Sequence, residues 1–369
     1  MPITIDGTNG ITQAGEFNSS GSFGFKNRII NGAMVIDQRN AGASVTVTSS
    51  RNYYLDRWTV FAQTGSKLTI QQNAGSVTPP VGFTNYAGIT VSTAVSPLGA
   101  ADQYMFEQQI EGYNVADLNF GSANAKTVTL SFWVRSSLTG TFAGVICNGA
   151  EDRTYPFTYT IASANTWTQA SVTIAGDTTG TWLTTNGSGL RLKLNLGTGA
   201  TYSGTANAWT SSPYITSVTG TVNLINTVNA TWYVTGVQLE VGSTATSFDY
   251  RPYGTELALC QRYFQRSYDI GTATGTSFNS NYEVPAYFIG TGNFGFVCGK
   301  TFPTAMRGTP TVTVYSDDGI AGRVTPWNSS SSAIASVNAI QNGITAGNFN
   351  NNTSVGVVYG FAYIASAEL

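Results

Sequence analysis

The chain has 369 residues, of which 10% are charged against about 25% in an average soluble protein, a net charge of −2 and no histidine. Its scattered Lys and Arg form no run that could follow a phosphate backbone, which argues against nucleic-acid binding. The missing histidine removes the commonest general base and metal ligand and every Ser-His or Cys-His nucleophile pair. Aromatic residues at 12%, with Val, Ile and Thr throughout, exclude disorder. The expected product is an all-β protein with a neutral, hydroxyl-rich exterior, long enough for two or three cores.

The opening "MPITIDGTNGITQAGEF" has neither a basic nor an apolar signal-peptide region, so no signal peptide is expected. Residues 1–26 are small, polar and Gly-rich: one short strand in "ITIDGT", then an extended anchoring arm that docks on another protein or on copies of itself. From Asn27 the strands come often. "NYYLDRWTVFAQ" reads as one strand with Tyr54, Asp56, Trp58 and Val60 on one face. "KTVTLSFWVRSS" places Val128, Leu130, Phe132 and Val134 on one face and Thr129, Ser131, Trp133 and Arg135 on the other. "GLRLKLNLG" turns Leu190, Leu192, Leu194 and Leu196 inward and Arg191, Lys193 and Asn195 outward. Strict alternation with Gly/Asn/Asp turns between strands predicts an antiparallel β-sandwich, a jelly roll, over 27–253.

After the alternating "TWYVTGVQLEVG", the stretch "TELALCQRYFQRSY" predicts a linking helix over 254–268, capped by Thr255, with Leu257, Cys260, Phe264 and Tyr268 as its apolar stripe. A helix this short needs a packing partner: the sandwich, the next domain or its counterparts in an oligomer. Residues 269–369 resume β character and form a smaller C-terminal β-domain. Within it "VGVVYGFAYIA" is a strand too short to span a bilayer as a helix, so no membrane insertion is expected, and "NSSSSAIASVNAIQNGITAGNFNNNTS" reads as one weak strand among loops. Cys147, Cys260 and Cys298 are far apart and odd in number, which reads as buried thiols rather than a disulfide frame or metal cluster.

Taken in order, "NGAMVIDQRN", "DRW", "LSFWVRSS", "GVQLEVGSTATSFDYRP" and "ELALCQRYF" resemble the carbohydrate-binding-module-like jelly roll of bacteriophage tail fibres and related virion proteins, over roughly residues 27–265. The resemblance implies a virion surface protein made in the host cytoplasm, commonly a homotrimer, held to other virion proteins by its N-terminal arm and contacting host surface glycans. Related jelly rolls carry an Asp pair in the final strand that helps hold calcium. Here Thr235 and Gly236 stand there, Asp37 alone makes no site, and no metal or other cofactor is expected.

Sugar binding needs a flat aromatic face and a few polar groups to fix hydroxyls. Trp182, Tyr202, Trp209 and Trp327 lie in polar loop-like contexts, and Trp133 faces away from the inward row of its strand; these are the candidate carbohydrate-binding residues. Asp56, Arg57, Trp58 and Arg251, within the resembling motifs, read as a buried Trp with a bracing ion pair rather than as ligand contacts. Catalysis on glycans would need two facing carboxylates; Glu107 with Glu111, Glu151 with Asp152, and Asp317 with Asp318 lack a supporting constellation, so no enzyme is expected. The rival expectation is a structural capsid- or tail-bound protein of the same fold with no occupied sugar site.

Overall fold

The computed structural model describes residues 5–6, 10–11, 25–277, 284–288, 296–326, 333–350 and 358–369. Two short strands, β1 (Ile5–Asp6) and β2 (Gly10–Ile11), pair antiparallel; the rest of the expected anchoring arm up to residue 24 lies outside the described residues. The sandwich follows: β3 (Val45–Thr46), β4 (Ser50–Leu55), β5 (Trp58–Ala62), β6 (Leu68–Gln72), β7 (Ala87–Val91), β8 (Gln103–Glu111) and β9 (Val128–Ser136). Then come β10 (Gly140–Asn148), β11 (Thr154–Ile161), β12 (Thr168–Ile174), β13 (Ser188–Thr198), the short parallel pair β14 (Ser203–Gly204) and β15 (Ser217–Val218), and β16 (Thr231–Val241).

One sheet runs β11-β10-β13-β8-β5-β4 and the facing one β12-β9-β16-β7-β6-β3. All their pairings are antiparallel. The chain is an all-β protein built on an antiparallel β-sandwich. Its core follows from the alternation: Leu190, Leu192, Leu194 and Leu196 of β13 face Val128, Leu130, Phe132 and Val134 of β9, all at most 1% exposed. Each such side chain contributes about 2 kcal/mol. Trp58 stacks on Phe106 at 4.6 Å and donates its indole N–H to the Asn31 carbonyl at 3.0 Å.

Two readings of this region change. "NYYLDRWTVFAQ" is a hairpin, not one strand: β4 and β5 pair with each other, and Asp56–Arg57 form the tight turn, with Arg57 at φ 69°. Alternation alone cannot distinguish a long strand from two strands joined by a two-residue turn. Arg191, Lys193 and Asn195 do lie on the side away from the core, yet Lys193 and Asn195 are each 1% exposed. That side of the sheet is covered by the 203–218 segment, which packs on β10, β11 and β13, and by ion pairs.

The expected helix is shorter and earlier than its apolar stripe suggested. α1 spans Tyr253–Gln261, with Pro252, not Thr255, at its N-cap. Proline suits the start of a helix because it has no N–H to leave unsatisfied. Phe264–Arg266 form β17, whose main chain pairs with residues 364–366. The ladder offered by the last strand overrides local helix propensity there. Leu257 and Cys260 pack with Ile30, Ile36, Tyr263 and Leu369; Phe264 and Tyr268 are buried within the chain at 4% and 6% exposure.

The remaining strands are β18 (Val284–Phe288), β19 (Phe296–Thr301), β20 (Thr311–Tyr315), β21 (Arg323–Pro326), β22 (Ala333–Ile340), β23 (Gly343–Asn350) and β24 (Val358–Ser366). Their order is β17-β24-β18-β19-β23-β22-β21. Because β21 also pairs with β24, this sheet closes on itself, while β20 joins the other half of β24. The Asn-rich stretch read as one weak strand supplies the β22–β23 hairpin, the pairing of which uses main chain rather than side-chain hydrophobicity. Among the described residues no helix is long and apolar enough to cross a membrane.

Candidate functional site

The motif residues build the joint between the sandwich and the last sheet. The Arg57 guanidinium is 1% exposed, lies 3.5 Å over the Tyr263 ring, donates to the Gln109 carbonyl at 2.5 Å and pairs with Glu368. Arg39 meets the same Glu368 at 2.6 Å. Arg262 grips Glu111 with two bonds of 2.9 and 2.7 Å. Arg251 pairs with Glu256 of α1 at 3.2 Å and also donates to Ile29 and Asn27 carbonyls. Asp56 pairs with none of these arginines; it accepts the Gln38 main-chain N–H at 2.7 Å and its side-chain amide at 2.6 Å. Burial pushes the Asp56 carboxyl up to about 6, against those two hydrogen bonds and the nearby Arg39. The "DRW" residues thus brace the turn and clamp the last sheet.

The carboxylates weighed for catalysis are spent on ion pairs and hydrogen bonds. Glu107 is fully buried against Arg51 at 2.9 Å, and Glu111 is held by Arg262 and by the Tyr263 hydroxyl at 2.7 Å. Glu151 sits among Lys193, Arg191 and Arg51; burial works to raise its pKa, but the cations outweigh it and hold the carboxyl below its usual range. Asp152 accepts from Asn148, and Asp317 from Thr325 at 2.7 Å. Among the described residues no three His, Cys, Asp or Glu side chains converge on a metal-sized site. Cys147 and Cys260 are buried free thiols, and the Cys298 side chain lies outside the described residues.

The aromatic candidates separate into two groups. Trp182 and Trp209 meet edge to face, 5.5 Å apart at 89°, around Phe120 and, for Trp209, Tyr155. Their indole N–H groups are tied to Thr179 and Ala175 carbonyls at 3.2 and 2.7 Å, and both pack on the sandwich core. Tyr202 is half-buried in a short 3-10 turn beside β14. Trp327 lies outside the described residues. Trp133 is different. It projects from β9 on the outer face of its sheet, half-buried, with no aromatic neighbour stacked on it among the described residues.

Around Trp133 a pocket of about 210 Å³ is lined by Phe83, Phe248 and Tyr250, with Ser131, Gln169, Thr246 and Ser247 as polar groups and Gly236 at its floor. Three features of the sequence make it. A bulge in β16 between Thr235 and Gln238 puts Gly236 at φ +62°, a conformation suited to glycine. A Cβ there would stand 2.5 Å from the Phe83 ring and 3.2 Å from the Trp133 ring, so glycine is what lets both rings close on the main chain. The alternation of "VQLE" then points Gln238 and Glu240 outward, where they hold the following loop. Gln238 accepts the Asp249 N–H at 2.8 Å, and Glu240 accepts the Thr246 N–H at 2.8 Å and its hydroxyl at 2.6 Å. That loop carries Phe248 and Tyr250, 4.8 Å apart, both against Phe83. Finally, the Tyr250 hydroxyl donates to the Gly82 carbonyl at 2.7 Å, joining the two loops.

The stretch "GVQLEVGSTATSFDYRP" is therefore a strand that folds its own loop back over its outer face. Sequence reasoning named Trp133 from its alternation but missed Phe83, Phe248 and Tyr250. The available signal was the outward pair Gln238 and Glu240, which must face something, followed eight and ten residues after Glu240 by two aromatics. Chemically the pocket offers ring faces and neutral hydrogen-bonding groups. Its volume lies below the roughly 300–1,000 Å³ of drug-sized sites.

No family model matches the chain, and no curated protein matches it. Solved structures do. The chain is similar to the enzymatically active domain of tailspike protein 4 of bacteriophage CBA120 at 12% identity and a TM-score of 0.32, covering 59% of this chain and 22% of that one. It is similar to a CBM4 structure at 16% identity and a TM-score of 0.28, covering 57% of this chain and 98% of that one. A protein from Bacteroides thetaiotaomicron matches at 12% identity and a TM-score of 0.32, over 58% of this chain and 100% of that one. The chain thus spans about a fifth of the tailspike and essentially all of the two smaller proteins. At these identities and scores the likenesses carry no statement about ligand or activity.

Proposed function

We propose that this chain is a non-catalytic glycan-binding protein of a phage virion, with its sugar site at the Trp133 pocket. The observation that carries the proposal is the preformed pocket itself. An unstacked Trp ring, three further aromatics and four neutral polar side chains converge there, held by a loop clamp that leaves little ordering for the ligand to impose. The phage setting is supported by the motif set from "NGAMVIDQRN" to "ELALCQRYF". A homotrimer anchored through residues 1–26 would multiply a weak single-site affinity into useful avidity.

The rival reading, a structural virion protein with no occupied sugar site, draws on Trp182 and Trp209, whose rings are used inside the chain. Host surface polysaccharides screened against the purified chain and its Trp133→Ala and Trp182→Ala forms separate the two. Glycan binding lost with Trp133→Ala and kept with Trp182→Ala supports the proposal. Binding that ignores Trp133, or that fails with every host glycan, favours the structural reading.

A further inference from the structure

On the outer face of the sheet, two residues beyond Trp133 on β9, stands Arg135, about 7 Å along the strand. Its Nε donates to the Asn165 carbonyl at 2.9 Å and its guanidinium lies over the Tyr233 ring at 5.3 Å. Arg28, Arg51, Arg57, Arg153, Arg191 and Arg251 all lie within ion-pair distance of a carboxylate. Arg135 has no such partner among the described residues. Tyr233, Tyr86 and Trp167 form an aromatic bed on this side: Tyr86 is 5.3 Å from Tyr233 and 5.6 Å from Trp167, whose indole is fixed to the Thr78 carbonyl. Gln169, paired across the ladder with Trp133, lies on the same face, exposed.

These observations describe a cation that is oriented but not neutralised. The Asn165 bond and the Tyr233 ring fix the guanidinium plane while its two terminal NH₂ groups remain for another acceptor. A planar fork of this kind recognises a carboxylate or phosphate group by two parallel bonds. The side chains that line the pocket at Trp133 are neutral, and Glu240, which holds the loop, is 2% exposed and occupied by Thr246, Gln238 and Lys26. Nothing in the pocket itself therefore selects for charge; selection falls to Arg135.

Resting on the pocket reading above, we infer that Arg135 binds an anionic substituent on the sugar unit next to the one held at Trp133, so that the ligand is an acidic glycan. Charge-assisted hydrogen bonds are worth about 1.5–3 kcal/mol, which corresponds to a roughly 10- to 100-fold loss when the fork is removed.

The test measures binding of the full chain to three immobilised polysaccharide classes: neutral, uronate-containing and phosphate-containing. The native chain is compared with Arg135→Gln, Arg135→Lys and Trp133→Ala, at low and high salt, with thermal melting to check each fold. The expected result is preference for one acidic class, weakened by salt. Arg135→Gln loses at least tenfold on that class and keeps its neutral-glycan affinity, Arg135→Lys retains part of the preference, and Trp133→Ala loses both. The class preferred, uronate or phosphate, names the substituent. Neutral-glycan binding that depends on Trp133 but not on Arg135 overturns this inference and leaves the pocket reading standing. Absence of glycan binding, or binding indifferent to Trp133, overturns both.

Discussion

Replacing Asp56 with Asn should change how stability depends on pH. Asp56 is buried in the β4–β5 turn, and its carboxyl is pushed up to about 6 from an ordinary 3.8, with burial the main cause. An acid whose pKa is raised in the folded state binds its proton more tightly there than in the unfolded chain. Its contribution is fully present below pH 3.8 and is lost as pH rises through 6. A shift of about two units at 1.36 kcal/mol each gives a loss of about 2–3 kcal/mol between pH 4 and pH 7. Asn cannot ionise, and with the Gln38 amide turned over it can still accept the Gln38 main-chain N–H. The stability difference, Asp56→Asn minus native, should therefore move in the variant's favour by about 2–3 kcal/mol across that window. Urea unfolding of both proteins at pH 4, 5, 6 and 7, followed by the fluorescence of the buried Trp58 and Trp232, measures it. Taking the difference cancels the opposite slope from Glu151, whose pKa is lowered. A difference that is flat with pH, or that moves toward the native protein as pH rises, would refute the reasoning.

Glu368→Gln removes the carboxylate shared by Arg57 and Arg39 and leaves Arg57 buried without a counter-charge; a loss of about 3 kcal/mol in denaturant unfolding is expected. Trp182→Ala and Trp209→Ala each remove half of an edge-to-face pair packed on the core, and each should cost about 2 kcal/mol of stability while leaving glycan binding intact. Gly236→Val drives a side chain into the Phe83 and Trp133 rings, displacing them, and takes an unfavourable positive φ; binding titrations should show glycan affinity lost, with about 1–3 kcal/mol of destabilisation.

Period-two alternation made the two-sheet core legible, because one buried face per strand leaves a direct mark on the sequence. It could not reveal that Lys193 and Asn195 are also buried, since their cover comes from the distant 203–218 segment and from ion pairs formed only in the fold. The end of α1 differs for a similar reason: the apolar residues Phe264 and Tyr268 continue a helical stripe, but the main chain from Phe264 to Arg266 pairs with a strand about 100 residues later. At the site, Trp133 could be named from its strand alone. Phe83, Phe248 and Tyr250 could not, because their meeting depends on a bulge at Gly236 and on side chains that fold a loop back. The partner of Arg57, Glu368, was likewise chosen by tertiary structure, whereas Arg251 takes its partner Glu256 from five residues along the chain.

The central claim is that the Trp133 pocket holds a sugar. Titrating the native chain with a host polysaccharide identified by array, while following the perturbation of Trp133 by NMR of an indole-labelled sample, tests it most directly. A saturable shift of the Trp133 indole is expected, half complete at the ligand concentration that gives half-maximal binding, with Trp182 and Trp209 unmoved. Saturable binding that shifts Trp182 or Trp209 and leaves Trp133 still would contradict it.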